Sequence, residues 1–211
     1  MNAEISAAEV FFAQGKFEQA EKIFQSVLEY DEENFPALLQ LGRINLFKNR
    51  FSITERLLRR ALDVEPENKD VKKLLAQLFY RQDRFKESAT YYQSIDQIAI
   101  ARKLKRLQNV VSYQFEDNKT VTSVKFLQTD PLPVLTVSIN SSESVNFVID
   151  SGGDELVIDT DFAKSAGIDT VGSTTGTFAG GKQAPVEHST IDSIAIGDFS
   201  IKNIPVSLMP V

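Results

Sequence analysis

The pattern of apolar and polar positions changes at about residue 109. Before this point the chain is rich in Leu, Gln, Lys, Arg and Glu, and apolar residues recur at helical spacing. From Val110 onward apolar and polar residues alternate, and Val, Ile, Thr and Ser become frequent, which favours strands. Because a run of helices precedes a run of strands, the pattern predicts an α+β chain with two domains, the first all-α and the second all-β.

The helical part repeats with an offset of about 34 residues. Aromatic residues share one repeat position, and a residue that tolerates the left-handed conformation precedes each by two positions. Small residues recur where paired helices must cross closely, and larger ones where neighbouring pairs pack. The recurring sets are Phe17, Phe51 and Phe85; Gly15, Asn49 and Asp83; Ala8, Gly42 and Ala76; Ala20, Thr54 and Ser88; Phe24, Leu58 and Tyr92; and Val27, Ala61 and Ile95.

This region resembles the tetratricopeptide repeat (TPR) family in its period, its small-residue positions and the segment QGKFEQAEKIFQSVLEYDEEN. The resemblance implies a concave surface that binds a protein partner. It also implies an all-α solenoid over residues 1–108, with repeats at about 1–34, 35–68 and 69–96 and a capping helix over 97–108.

Two segments near the domain boundary have simpler interpretations. The basic cluster Arg102, Lys103, Lys105 and Arg106 is typical of a solvated helix face. Residues 109–121 are expected to form a linker. The alternation over residues 121–127 then indicates the first strand of a second domain, which we place at 122–211.

The second domain holds the candidate chemistry. Two predicted strands, Val134–Ile139 and Val145–Ile149, lead into Asp150, and the apolar run 156–158 follows. A short helix is expected at Asp161–Ala166, with Asp159 or Thr160 as its cap and Gly167 at its end. Two hairpins come next, one with Gly180 and Gly181 at its tip, and one with Ile191–Ile196 against Phe199–Leu208 around Gly197-Asp198.

This order of strand, Asp-Ser-Gly, small residue, apolar run and helix resembles the retropepsin-like aspartic proteases. The resemblance implies an acid-protease β-barrel with Asp150 as the catalytic carboxylate. It further implies an active-site loop of Ser151, Gly152 and Gly153, and a flap whose tip is Ala179, Gly180 and Gly181. The family continues beyond the position of Val211, so we expect this domain to be incomplete, either truncated or degenerate, and inactive by itself.

The sequence contains the Asp-Ser-Gly motif once, so the resemblance implies a homodimer through the protease domain, with one Asp150 from each subunit. Two carboxylates at about 3 Å share one proton and together activate a water molecule. The first hypothesis is therefore an aspartic endopeptidase that hydrolyses peptide or protein substrates, with TPR repeats for protein–protein interaction. The alternative is a non-catalytic TPR scaffold that has kept a degenerate protease-like domain.

Composition removes several other classes of function. A net charge of −6 argues against nucleic-acid binding, and zero cysteines exclude thiol nucleophiles and disulfides. The single histidine, His188, excludes a histidine-rich metal site, and we interpret it as a strand residue without a catalytic role. We expect neither cofactor nor metal. The sequence has no apolar run long enough to span a membrane and no signal-peptide pattern after Met1, so a soluble protein of the cytoplasm or periplasm is expected.

Overall fold

A computed structural model describes residues 2–116, 121–142, 144–150, 153 and 155–210. The chain divides into two compact units, Met1–Asp96 and Gln97–Val211. The helices of the described part are α1 (Asn2–Ala13), α2 (Phe17–Tyr30), α3 (Phe35–Phe47), α4 (Phe51–Val64), α5 (Lys69–Tyr80), α6 (Phe85–Ser94), α7 (Ile98–Leu107) and α8 (Thr160–Ser165). Its strands are β1 (Gln114–Phe115), β2 (Val134–Ile139), β3 (Ser144–Val148), β4 (Leu156–Asp159), β5 (Ser173–Thr177), β6 (Gln183–Ile196) and β7 (Phe199–Met209).

The first unit consists of three helix pairs, α1–α2, α3–α4 and α5–α6, as the repeat predicts. Each pair turns at a residue in the left-handed conformation, with φ of 72° at Gly15, 54° at Asn49 and 57° at Asp83. Glycine, asparagine and aspartate adopt this conformation at little cost, which is why they recur at this position. The helical half is therefore a regular stack of similar hairpins.

Close helix crossing explains one of the small residues in the repeat. A Cβ atom added to Gly42 would lie 2.5 Å from Cδ2 of Leu58, which is fully buried in the core of this unit. Phe24 and Leu58 share a repeat position and both belong to this core. Positions that recur every 34 residues are therefore those whose side chains contact each other between paired helices.

Ion pairs between neighbouring repeats follow the same period. Arg50 lies 2.8 Å from Glu21, and Arg84 lies 3.0 Å from Glu55. Lys48 also reaches Glu21, at 2.6 Å, and both oxygens of that carboxylate are therefore occupied. Because each pair joins one helical hairpin to the next, these contacts hold the stack in register.

The second unit is built on a twisted sheet with the strand order β1-β7-β6-β2-β3. The β6–β7 hairpin forms its centre and turns at Gly197, as predicted. Strand β5 pairs with β6, and β4 pairs with β7 in parallel from Leu156 opposite Val206 to Asp159 opposite Met209. The core of this unit lies between the sheet and α8 and is mainly aliphatic; it includes Leu135, Val137, Ile139, Ile158, Ala163, Ile191, Ile204, Val206 and Leu208.

Helix α7 differs from its expected place at the end of the repeats. It groups with the second unit and contacts β5, β6 and β7. Its buried face carries Ala101, Leu104 and Leu107, and Gly172 allows close approach, since a Cβ there would lie 3.1 Å from that of Ala99. The same apolar stripe suits a helical or a sheet neighbour, so the pattern could not identify the partner. The structural boundary is after Asp96 rather than after residue 108.

The segment between α7 and β2 also differs from prediction. Within the predicted linker 109–121, β1 pairs with β7 through Gln114 and Phe115. The strand indicated over residues 121–127 is not formed, and in this stretch of described residues only Gln128 makes an isolated bridge, to Val134. On the edge of β2 that does not pair with β3, residues 137–139 pair with β6. Only the first residues of β2 therefore have backbone groups available for another strand on that edge.

Candidate functional site

Asp150 lies directly after strand β3, where the sequence places it. The backbone N–H of Ile149 donates to the carbonyl of Pro133 at 2.9 Å and fixes the end of the strand. The N–H of Gly153 donates to the carbonyl of Asp150 at 3.2 Å, which closes a turn. Asp150 is exposed, so its carboxylate is accessible from solvent. Ser151 and Gly152 of the predicted active-site loop lie outside the described residues.

The surface beside Asp150 is apolar. Val148 is 53% exposed and Ile149 is 43% exposed, although β-branched residues of this kind are usually buried. In the described sheet β3 is a terminal strand, paired with β2. A carboxylate therefore stands at the end of a sheet edge that has exposed apolar side chains and backbone groups open for pairing.

The second predicted site element is the hairpin of β5 and β6. Its tip is the tight turn Ala179–Gly181, in which Gly180 and Gly181 adopt the left-handed conformation with φ of 78° and 75°. The N–H of Phe178 donates to the carbonyl of Lys182 at 2.8 Å and closes the hairpin. Both glycines are exposed, and a Cβ on either would contact nothing within 4 Å. The hairpin with a glycine tip is present, and its role as a flap stays a prediction.

Sequence reasoning missed a polar cluster in the interior of this unit. Lys103 of α7 is 2% exposed, and its ammonium lies 2.5 Å from Oε1 of Glu155. The hydroxyl of Ser207 on β7 donates to Oε2 of the same carboxylate. The interpretation of Arg102, Lys103, Lys105 and Arg106 as a solvated basic face is wrong for Lys103. The available signal was its position four residues before Leu107, on the apolar stripe of α7.

His188 borders this cluster. It is the direct cross-strand partner of Ser207 in the β6–β7 hairpin and is 4% exposed. Burial is the main cause that lowers the pKa of His188, the positive charge of Lys103 also lowers it and the carboxylate of Glu155 raises it, and the net pKa is about 4. Its Nε2 lies 2.8 Å from the hydroxyl of Thr174. The predicted hairpin begins at Ile191, and extending its register around Gly197-Asp198 back to His188 pairs this residue with Ser207, so a signal for this pair was present in the sequence.

Other acidic residues of the region have structural roles. Asp159 caps α8, because its side chain accepts hydrogen bonds at 3.0 Å from the backbone N–H groups of Asp161 and Phe162. Gly167, with φ of 68°, follows the end of that helix as expected. Among the described residues, no group of three or more His, Asp or Glu side chains could hold a metal ion. In the same part of the chain, no helix has the length and apolar character to cross a membrane.

Family comparisons confirm both resemblances. Residues 135–211 match a family model described as aspartyl protease. Residues 5–52 and 39–102 match a family model described as tetratricopeptide repeat. The first match begins within β2 and includes Asp150 and the glycine-tipped hairpin. Comparison with curated proteins gave no match.

Three of the solved structures similar to this chain each cover about half of it. One is an O-GlcNAc transferase mutant from Thermobaculum terrenum (21% identity, TM-score 0.44), which covers 46% of this chain, whereas the chain spans 19% of that protein. Another is the first TPR of Spaghetti (RPAP3) bound to an HSP90 peptide (13% identity, TM-score 0.45; 49% of this chain and 89% of that one). A third is the Yersinia enterocolitica translocator chaperone SycD (13% identity, TM-score 0.44; 51% and 79%).

Proposed function

We propose that the chain acts as an aspartic endopeptidase whose two catalytic carboxylates are Asp150 from each subunit of a homodimer. The observation that carries this proposal is the exposed Asp150 at the end of β3, inside the region that matches the aspartyl protease family. The turn closed by Gly153 and the glycine-tipped hairpin of the same unit support it.

The proposed chemistry needs two carboxylates that share one proton. At about 3 Å apart they cannot both ionise without strong repulsion, so one stays protonated at the pH where the other is charged. The charged carboxylate takes a proton from a water molecule, whose oxygen attacks the carbonyl carbon of the peptide bond. The protonated carboxyl group donates its proton to the carbonyl oxygen. Collapse of this intermediate moves a proton to the leaving nitrogen and breaks the C–N bond.

Dimer formation supplies the second carboxylate. The sequence has a single Asp-Ser-Gly motif, so one chain provides one half of the pair. A twofold axis brings the same residue of both subunits together at the interface, which suits a carboxylate pair. The exposed Val148 and Ile149 beside Asp150 supply apolar area that a second copy can bury. In this dimer Ser151, Gly152 and Gly153 form the active-site loop, and Ala179, Gly180 and Gly181 tip the flap over the substrate.

The TPR region is proposed to bind a protein partner or the substrate protein. Ion pairs such as Arg50–Glu21 hold successive repeats together, and a rigid stack can present one extended surface. Recruitment through this surface would raise the local concentration of a substrate at the peptidase unit. The proposal is therefore one polypeptide that combines recognition with hydrolysis.

The test is cleavage of a mixed peptide library between pH 5 and pH 7 by the protein and its Asp150→Asn variant. We expect the variant to lose at least a hundredfold in kcat/KM, and a pepstatin-like inhibitor to block the unmodified protein. Asp192→Asn is the matched control, because Asp192 is also exposed in the same unit and lies outside the proposed site. Absence of cleavage by a folded, dimeric protein would contradict the proposal and favour a non-catalytic scaffold.

A further inference from the structure

The buried Lys103–Glu155 pair joins a helix to the segment that carries Asp150. Lys103 belongs to α7, whereas Glu155 lies between Gly153 and strand β4. The lysine side chain is 3% exposed and the glutamate side chain 15% exposed. Removing two charges from water is costly, and attraction between them offsets the cost only when geometry and hydrogen bonding are good. An acidic residue in an ordinary surface loop would instead remain solvated.

Glu155 is held from two directions. Its Oε1 accepts from the ammonium of Lys103, and its Oε2 accepts from the hydroxyl of Ser207. Ser207 lies on β7, directly opposite Val157 of β4 in the parallel pair. The two donors come from different secondary-structure elements, so they fix the position of the carboxylate more firmly than either would alone.

The chain distance between this anchor and Asp150 is short. Pro133 holds Ile149 on one side of Asp150, and Gly153 closes the turn on the other. Glu155 lies two residues after Gly153 in the chain and Ile149 directly precedes Asp150, so contacts to fixed elements are found on both sides of Asp150. A catalytic carboxylate must be held to within about 0.5 Å of its productive position.

From this geometry we infer that Lys103 and Ser207, acting through Glu155, are positioning residues that fix the Asp150 segment. This inference rests on the proposed function for its catalytic consequence, but the anchoring itself is independent of it. Helix α7 then belongs to the protease-like unit for a functional reason, since it supplies the buried cation. The neighbouring His188, kept neutral by burial, adds no second positive charge to compete for Glu155.

Hydrogen–deuterium exchange of the full chain tests the anchoring without needing a substrate. The variants are Lys103→Met, which removes the buried cation, and Ser207→Ala, which removes only a hydroxyl group. Arg102→Met is the control, because it removes an exposed cation from the adjacent position of the same helix. We expect exchange in peptides covering residues 150–155 to rise about tenfold in Lys103→Met and about threefold in Ser207→Ala, with β6 and β7 still protected.

Two results would overturn the inference. One is exchange at residues 150–155 that matches the Arg102→Met control in both variants. The other is a uniform rise over the whole second unit, which would make the pair a general stabiliser. If Lys103→Met does not fold, the milder Ser207→Ala decides between these outcomes.

Kinetics then separates anchoring from the peptidase proposal. In an active protein, Ser207→Ala should lower kcat by about tenfold and change KM less than twofold, because misplacement affects the reacting geometry more than substrate binding. An equal loss in the Arg102→Met control would contradict a positioning role. Selective loosening of residues 150–155 in a protein that cleaves no peptide would support the anchor and overturn the peptidase proposal alone.

Discussion

Acidification is expected to destabilise the second unit through His188. Burial lowers the pKa of this imidazole from 6.5 to about 4 in the folded protein. Between these values the unfolded chain binds a proton that the native state does not, so the free energy of unfolding falls as pH falls. The contribution of neutral His188 to the free energy of unfolding is complete above about pH 6.5 and is lost as the pH decreases through about 4. At about 1.4 kcal/mol per pH unit the full loss is about 3 kcal/mol, of which about 2 kcal/mol is lost between pH 7 and pH 5.

The assay uses the fact that His188 is the only histidine of the chain. Its Cε1–H resonance in an NMR spectrum needs no assignment by mutation and reports the native pKa directly. We expect a midpoint near pH 4, or unfolding before the midpoint is reached. Denaturant unfolding of the second unit at pH 7 and pH 5 then gives the energetic consequence. His188→Gln serves as the reference, since it keeps a polar side chain near Thr174 and cannot titrate.

The difference between the two proteins isolates the histidine from the carboxylates, which also titrate in this range. We expect the unmodified protein to lose about 2 kcal/mol more than His188→Gln between pH 7 and pH 5. A histidine midpoint near pH 6.5, or equal losses in both proteins, would show that burial in the native state does not lower the pKa of His188. If the chain has the proposed peptidase activity, that activity should decline below about pH 5 as the second unit loses stability, and the His188→Gln variant should extend the active range toward acid.

Two further predictions concern the repeats. Gly42→Ala should destabilise the first unit by about 1–3 kcal/mol, measured by thermal unfolding, because the added Cβ would lie 2.5 Å from the side chain of the buried Leu58. In the double variant, Leu58→Ala should reduce this loss of stability. Additive effects of the two substitutions would contradict the contact. Glu21→Gln should cost about 1–3 kcal/mol because it leaves Arg50 and its neighbouring cation without a charged partner. The exposed Glu67→Gln should change the free energy of unfolding clearly less than Glu21→Gln does, and equal losses in the two variants would contradict the argument.

The repeat architecture was predictable because local rules and packing agree there. Gly15, Asn49 and Asp83 all have positive φ, and all were identified from their spacing alone. The bounds of β2, Val134–Ile139, match the prediction because alternation and turn residues delimit that strand on both sides. In each case the information lies within one repeat or one hairpin, where sequence distance and spatial distance correspond.

The sequence pattern did not predict that α7 belongs to the second unit or that Lys103 is buried. The apolar stripe of an amphipathic helix predicts which face is buried, but it does not predict which element packs against that face. A lysine among other basic residues is usually solvated, and Glu155, its partner, lies 52 residues away in sequence. The strand predicted at 121–127 is absent for a similar reason. Strand β6 pairs with β2 at residues 137–139, and this long-range pairing cannot be read from the local sequence pattern.

The positions of the candidate site residues were predictable to the level of their elements. The motif placed Asp150 after a strand and glycines at a hairpin tip, and both are found there. The support for Asp150 was not predictable, because Lys103 and Ser207 reach Glu155 from separate parts of the chain. Catalytic motifs are local, whereas the groups that hold them in place come from the whole fold.

Calorimetric titration with a pepstatin-like inhibitor shows whether two Asp150 carboxylates form one site in a dimer. This measurement needs no knowledge of the substrate sequence and counts sites per chain. At about pH 5.5 the unmodified protein should bind one inhibitor for every two chains, and Asp150→Asn should bind none. Binding of one inhibitor per chain, or unchanged binding by Asp150→Asn, would contradict a shared carboxylate pair.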